Sequence, residues 1–585
     1  MNVSGVGEYG MWPTDLTEDI ERKLGEWKRE EKLRRLWSGD PSLWTGEDEA
    51  DWVGWLKIPS DAEVERNLAL VPSRIGGQAV ENVVLLGMGG SSMGAEAMAR
   101  SIDIDVAYPK FHVLDSTNPC QIRSVRDRLA LSQTLFIVSS KSGRTFETHS
   151  LMQYFLQLVC SSSGNSDPGS QFLAITDPGS ELDQFSIAQR FAHVFHGLPK
   201  VGGRFSALSS FGLVPAAAAG IDVLQILGRA RGMRDRCTAE IPVDENPGVV
   251  LGITMAIAAE NELDKLTLVS SARFHGLGAW IEQMLAESTG KEGTGLVPVG
   301  QEILGDPAVY GHDRLFVYLR DTLSPELDLD ERITSLRRAG KPVVEMHLRD
   351  GYDVGSEFFR WEFGTAVAAS ILGVNPFNQP DVEATKQETL RFTERYTKGG
   401  TFPETKLQCV DTLGGLSVFV DEGNAAALGI DSIDNASIED VLALHLDRIG
   451  AGDYFAVLAY VEMNRENQEI LQVLRHAIRD AKLIATSLQF GPRFLHSTGQ
   501  SHKGGANSGV FLEITSDSPR DLMIPGRSYS FGQAGTAQAL GDLAVLNRLE
   551  RRVIRVHLAG DVRMETERLR SLVEGVLRRD SGKGH

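Results

Sequence analysis

"NVVLLGMGGSSMGAEAMARSI", residues 82–102, runs from an unbroken apolar stretch through a turn of glycines and serines into a helical pattern. A short apolar run without polar alternation reads as a strand buried on both faces, which is the situation of a parallel sheet covered by helices. "NVVLLGMG" is that strand and "SMGAEAMARSI" the helix behind it. The turn between them presents backbone N–H groups at a helix N-terminus, an arrangement that attracts anions. Its spacing is not the dinucleotide fingerprint, because Ser92 stands where the third glycine would be, and no lysine follows the last glycine as in a P-loop.

The same rhythm continues outward. "KFHVLD" (110–115), "TLFIVSS" (134–140) and "QFLAIT" (171–176) read as further strands, with "TFETHSLMQYFLQLV" (145–159) a helix between the last two. A second α/β series follows, with strands "KLTLVSS" (265–271), "RLFVYLRD" (314–321) and "PVVEMHLRD" (342–350). A third echoes the second: "DRLFVYLRD" (313–321) resembles "SGVFLEITSD" (508–517), and "ITSLRRAGKPVVEMHL" (333–348) resembles "LAVLNRLERRVIRVHL" (543–558). Both pairs read strand, helix and a strand ending in His-Leu, which points to internal duplication. The expected fold class is α/β, several parallel sheets flanked by helices. The expected division is an N-terminal arm (1–80), two α/β units (81–235 and 236–390), a connecting segment (391–450) and a third unit (451–585). Residues 16–37 read as one amphipathic helix, and Trp37, Trp44, Trp52 and Trp55 as anchors that pin the arm to the body.

Composition narrows the partners. The 585-residue chain carries a net charge of −20 with a pI near 5.2, a poor match to nucleic acid or an anionic membrane. An anionic substrate must therefore meet local arginines and lysines. The four cysteines (Cys120, Cys160, Cys237, Cys409) lie far apart with no CxxC, against a zinc site or a disulfide framework and in keeping with a reducing cytoplasm. No secretory signal or membrane-spanning stretch is expected, and neither a cofactor nor a metal.

Five segments carry candidate chemistry. In "FIVSSKSGRTFETHS" (136–150), Ser140, Ser142, Thr145 and Thr148 crowd a turn that opens a helix. An ordinary N-cap uses one hydroxyl; several suit the three oxygens of a phosphomonoester. This turn and the first lie at the carboxyl ends of neighbouring strands and so face one crevice. In "PKVGGRFSALSSFG" (199–212), Arg204 follows two glycines that let backbone approach a ligand. In "WIEQMLAESTGKEG" (280–293), Glu287 lies at a helix C-terminus, where the negative end of the dipole makes a carboxylate a better base. "NPFNQPDVEATK" (375–386) places Gln379 and Lys386 just after the apolar helix "WEFGTAVAASILGV" (361–374). "FLHSTGQSHKGG" (494–505) holds His496 and His502, whose spacing is not that of a helical metal pair.

Together these segments resemble the glucose-6-phosphate isomerase family. "GMGGSS", "SSKSGRTFET", "VGGRFSALSSFG", "AESTGK" and "NPFNQPDVEATK" occur in the family's order, and "VGGRFS" and "FNQPDVEATK" fall in the two segments by which it is recognised. The likeness covers residues 80–390 and then "LHSTGQ", and the layout looks closest to the isomerase half of bifunctional transaldolase–isomerase proteins, with no transaldolase barrel expected ahead of it. The resemblance implies sugar isomerase (SIS), flavodoxin-like units and the interconversion of glucose 6-phosphate and fructose 6-phosphate through an enediolate. It implies that Gly90, Ser91, Ser140, Lys141, Ser142 and Thr145 bind phosphate, that Gln379 contacts substrate or phosphate, that Arg204 stabilises the enediolate, that Glu287 moves the proton between C1 and C2, and that Lys386 assists ring opening together with a histidine. Two departures stand out. Asp381 replaces the family's usual glycine, which reduces backbone freedom there. The family's ring-opening histidine precedes the lysine segment, whereas "LHSTGQ" follows it; His496 is preferred over His312, which lies in the expected interval without matching neighbours. The family's histidine comes from the other subunit of a dimer, so the displaced His496 predicts a site completed within one chain and a monomer that is active, with a homodimer as the alternative. Alternative functions are an isomerase that also accepts mannose 6-phosphate, and a sugar-phosphate-binding regulator without turnover.

Overall fold

The structure, a computed structural model, describes residues 9–12, 16–75, 80–163, 167–402, 407–410, 414–429 and 437–581. An N-terminal strand, β1 (Tyr9–Trp12), precedes three repeats of a parallel sheet. The first repeat comprises β2 (Asn82–Gly87), β3 (Lys110–Leu114), β4 (Thr134–Ser139), β5 (Phe172–Thr176) and β6 (His193–His196), in the order β3-β2-β4-β5-β6. The second comprises β7 (Lys265–Ser270), β8 (Val297–Val299), β9 (Arg314–Asp321) and β10 (Val343–Leu348), in the order β8-β7-β9-β10, with β1 added antiparallel at its edge. The third contains β11 (Leu407–Val410), β12 (Leu416–Phe419), β13 (Tyr454–Tyr460), β14 (Ala485–Phe490), β15 (Gly509–Ser516) and β16 (Arg552–Leu558), in the order β14-β13-β15-β16-β12-β11.

Counted over their parallel strands alone, all three sheets share the strand order 2-1-3-4, the flavodoxin-like winding. The reason is the one visible in residues 82–87: β2, β4 and β5 are buried along their whole length, as is β13, so helices must cover both faces. The expected α/β class holds. The segment 391–450, read from its loop residues as a connection, instead supplies β11 and β12, which pair antiparallel onto the edge of the third sheet. Short alternating strands among glycines give little periodic signal, so this pairing was not readable locally.

Residues 16–37 form two helices, Thr17–Arg29 and Lys32–Ser38, rather than one. Glu31 breaks them in a left-handed conformation (φ 49°), and the second helix turns Leu33 and Leu36 inward. The tryptophans anchor this arm. The Trp37 and Trp44 indoles donate to the carbonyls of Cys237 and Ala366. Trp55 is fully buried among Phe205, Phe359 and Phe363. Among the described residues no helix is long and apolar enough to cross a membrane.

The third repeat is fastened to the first two by polar contacts as well as by packing. Helix Pro380–Gly399 lies along helix Phe531–Arg548. The Arg493 guanidinium, on the turn after β14, is ion-paired with Glu96 and Asp115 of the first repeat, and Thr117 donates to the Gln538 side chain at 2.8 Å.

Candidate active site

The carboxyl ends of β2 and β4 meet the helix His275–Thr289 and the turn Arg493–His496 in one crevice. Backbone comes very close here. A Cβ at Gly90 would lie 2.1 Å from the Gly203 carbonyl oxygen, and one at Gly89 would lie 2.7 Å from that of His496, so both positions require glycine. The two glycine turns and the histidine turn are thereby held against one another.

Arg204 occupies the centre. It is buried, 4 % exposed, and its Nη1 lies 3.4 Å from Glu287 Oε1. It also donates to Gln379 Oε1 (2.9 Å), Ser288 Oγ (2.9 Å) and the carbonyls of Pro376 and Asn378 (2.9 and 2.7 Å). Burial lowers its pKa from the usual guanidinium value, an effect that Glu287 opposes. The guanidinium is thus preorganised: its donors are held by acceptors on two segments, 287–288 and 376–379, far apart in sequence. Glu287, third from the end of its helix, is 8 % exposed. Its second oxygen accepts from Gln283 Nε2 (3.2 Å), and the same amide donates to the His496 carbonyl (2.8 Å). Gln283 therefore bridges the carboxylate and the histidine turn.

His496 Nε2 lies 3.0 Å from Glu147 Oε1, and Gln538 Nε2 donates to that same oxygen at 2.6 Å. Glu147 is buried, which by itself would raise its pKa; His496, and at longer range Lys386, outweigh burial and hold it below the usual carboxylate value. Lys386 is half exposed and paired with Glu383 at 3.2 Å. His312, the competing histidine, is exposed at the amino end of β9, the opposite edge from the carboxyl-end crevice. His502 is buried against Tyr454, and burial pushes its pKa down to about 3.

The hydroxyl-rich turn is formed as a cluster. Ser140 Oγ and Thr145 Oγ1 are 2.9 Å apart, Ser91 is buried in the neighbouring turn, and Ser142 Oγ accepts from the Arg144 amide. Lys141 is committed to Asp177 and to the carbonyls of Leu198 and Pro199. Thr148 lies inside helix Phe146–Ser163 and is buried. Asp381 accounts for its own departure from glycine: its Oδ2 accepts from Gln500 Nε2 (2.5 Å) and its amide donates to Gln500 Oε1 (3.1 Å). Gln500 belongs to the third repeat and also donates to the Gly290 carbonyl.

Glu147, Gln283, Gln500 and Gln538 are the polar residues that reading by motif passed over. Glu147, Gln283 and Gln500 lie inside the motif segments, and the i, i+4 spacing of Gln283 and Glu287 on one helix face was the available signal. Gln538 carried none, since its partners are hundreds of residues away. Among the described residues no group of three or more His, Cys, Asp or Glu could hold a metal ion.

Residues 73–313 match the phosphoglucose isomerase family. A glucose-6-phosphate isomerase of Rubrobacter xylanophilus is 28% identical over 389 residues, spanning 58% of this chain and 88% of that protein. One of Geobacter sp. is 27% identical over 438 residues, spanning 64% and 80%. The crystal structure of a glucose-6-phosphate isomerase from Chlamydia trachomatis superposes with a TM-score of 0.55 at 19% identity, over 68% of this chain and 90% of that one, a likeness of fold. The glycine turns, Arg204 and Glu287 all lie inside the segment that matches the phosphoglucose isomerase family.

Proposed function

We propose that the protein is a glucose-6-phosphate isomerase, interconverting glucose 6-phosphate and fructose 6-phosphate in the cytoplasm, with the whole active site built from one chain. The observation that carries this is the contact between Arg204 and Glu287, joined through Gln283 to the turn that bears His496.

In this reading the phosphate rests on the Gly90–Ser91 turn and on the Ser140, Ser142 and Thr145 hydroxyls, with backbone N–H groups at two helix N-termini. Lys141 shapes the second turn through Asp177, and Gln379 contacts the substrate. His496, oriented by Glu147, exchanges a proton with the ring oxygen and opens the pyranose; Lys386, facing the same carboxylate, assists. The open chain presents an acidic C–H beside its carbonyl. Glu287 removes that proton from one carbon and returns it to the neighbouring one, while the charge that develops on the enediolate oxygens is met by Arg204. A positioned base and a fixed donor each supply about 10²–10³ in rate. No external redox partner is needed, because oxidation of one carbon balances reduction of the next.

The test is direct: purified protein, fructose 6-phosphate, and glucose-6-phosphate dehydrogenase with NADP as the reporter. NADPH formation that depends on the protein is expected; its absence with a folded chain overturns the reading.

A further inference from the structure

The three repeats share one winding, so each has a place where successive connections leave in opposite directions, and ligands of open α/β sheets bind in the crevice at that place. In the first repeat it lies between β2 and β4 and carries the cluster described above. In the third it lies between β13 and β15, where Tyr460, Thr515 and the start of helix Phe531–Arg548 are plugged by Thr117–Pro119 of the first repeat, leaving about 30 Å³. In the second it lies beside β7 and is open: a cavity of about 1040 Å³ at Leu268–Ser270, walled by the chain after β8, the start of helix Leu327–Arg338 and, from the third repeat, the start of helix Arg465–Lys482. We infer that this cavity is a second binding site, for a small phosphorylated sugar or polyol, on the far side of the helix that carries Glu287.

Gly278 is the first support. It faces the cavity from helix His275–Thr289, where a glycine is less favourable than alanine. A Cβ there would meet only Ser270 Oγ, at 3.9 Å, so nothing steric requires the glycine. Gly276, by contrast, is forced, since its Cβ would lie 3.0 Å from Ala97 Cα. The missing side chain at 278 keeps the wall hollow.

The chemistry of the walls is the second. Gln301, Gln468 and Gln472 line the cavity with amides, which both donate and accept as sugar hydroxyls do; Gln468 Nε2 donates to Gln301 Oε1 and Gln472 Nε2 to the Gln301 carbonyl, which leaves the Gln301 amide N–H₂ and the Gln468 and Gln472 oxygens. Gln472 Oε1 is a buried acceptor with no hydrogen-bond partner. Arg332 donates through Nη1 to the Leu304 carbonyl, but among the described residues neither Arg332 nor His275 forms an ion pair, and the first turn of helix His275–Thr289 has no side-chain cap. A phosphate fits this end. The carboxylates of Glu326, which accepts from the Ala272 amide, and Asp328 also line the cavity and suit hydroxyl donors. The requirement is therefore an anion at Arg332 and His275 and hydroxyls for the amides and carboxylates around them.

The third is position. The cavity is floored by Arg493, which shares a turn with His496, and walled by Glu282, which precedes Gln283. A ligand there bears on both segments that complete the catalytic crevice. This coupling rests on the isomerase reading; the binding itself does not.

Calorimetric titration of the full chain with sorbitol 6-phosphate, which has no ring or carbonyl to react, tests the proposal. Two binding events per chain are expected. Gly278→Leu, which fills the cavity, removes one, and Arg204→Ala removes the other. Gln468→Ala, which removes only one amide, weakens the Gly278-dependent event by up to roughly tenfold. A melting curve for Gly278→Leu that overlays the parent's shows that the loss is not unfolding. A single event in the parent, or events untouched by both cavity variants, overturns the second site. Sorbitol binding as tightly as its phosphate overturns the phosphate end. Loss of the Arg204-dependent event alone counts against the isomerase reading and not against the cavity. With fructose 6-phosphate as substrate, sorbitol 6-phosphate inhibition is expected to be mixed in the parent and purely competitive in Gly278→Leu; competitive inhibition in both overturns the coupling.

Discussion

At the residue scale the site is a set of buried charges, each held by a named partner. Glu287 and Arg204 contact each other and have little solvent, so their charges act at low dielectric. Glu287→Gln keeps the shape and the Gln283 contact but removes the base; kcat should fall by about 10²–10⁴ while KM changes little, as steady-state kinetics would show. The Ser140–Thr145 pair predicts a different signature. Replacing both with alanine removes neutral donors to a charged phosphate and should raise KM for fructose 6-phosphate by about ten- to a hundredfold, with a smaller effect on kcat; an unchanged KM would show the turn to be structural. Glu147 gives a pH dependence. Its pKa is lower folded than unfolded, because His496 and Lys386 outweigh burial. It therefore contributes stability that is fully present above the ordinary glutamate value of about 4.3 and is lost as pH falls through the folded value. The melting temperature should drop more steeply below about pH 4 in the parent than in Glu147→Gln, and parallel curves would count against the pairing. Most of these residues were legible in the sequence because each sits in a short motif whose composition is odd for its local role, such as several hydroxyls where one N-cap suffices. Glu147 and Gln538 were not, because a lone acid or amide has no meaning until its partner is in place.

At the element scale, the decisive pieces are two short turns and one helix. The turn Gly89–Ser91 packs on the turn Gly203–Phe205 on one side and on the turn Arg493–His496 on the other. None has hydrogen bonds enough to be rigid alone. Rigidity comes from Arg493, whose guanidinium is shared by Glu96 and Asp115, and from Gln500, which ties Asp381 to the end of the Glu287 helix. Asp381→Gly restores the residue usual in the family but deletes this link; activity should fall while the melting temperature changes by only a few degrees, and full activity would show the link to be dispensable. The Trp-rich arm is the clearest case of an element readable in advance, since its indoles are too large and too apolar to be left in solvent. Trp55→Ala should cost about 3–5 kcal/mol of stability by denaturant unfolding, because Trp55 fills a pocket of three phenylalanines. The break at Glu31 and the edge strands β11 and β12 were not readable. A single left-handed residue leaves no periodic trace, and an edge strand is defined by the neighbour it pairs with.

At the scale of the whole molecule, the third repeat brings His496 to the crevice within the same chain, through contacts that run from Arg493 to Glu96 and from Gln538 to Glu147. A tether of this kind holds the histidine at a high effective concentration, and the proposal that one chain suffices has a clean test. Inactive Glu287→Gln and His496→Ala chains are mixed under conditions in which any subunits exchange; no recovery of activity is expected, and recovery would show that the histidine is donated between chains. The sequence by itself determined the α/β class and the repeated strand–helix units, and it singled out Arg204, Glu287, Gln379 and Lys386 as candidates, of which the first three meet in the crevice. These follow from local patterns: buried strands written as apolar runs, tight turns as glycines, and a ligand turn as clustered hydroxyls. Only the tertiary structure decided which histidine enters the crevice, why Asp381 stands where a glycine is usual, and which of three equivalent crevices is open. Those outcomes depend on contacts between residues separated by more than a hundred positions. Their free energy is set by burial and by complementary partners that no local stretch of sequence contains.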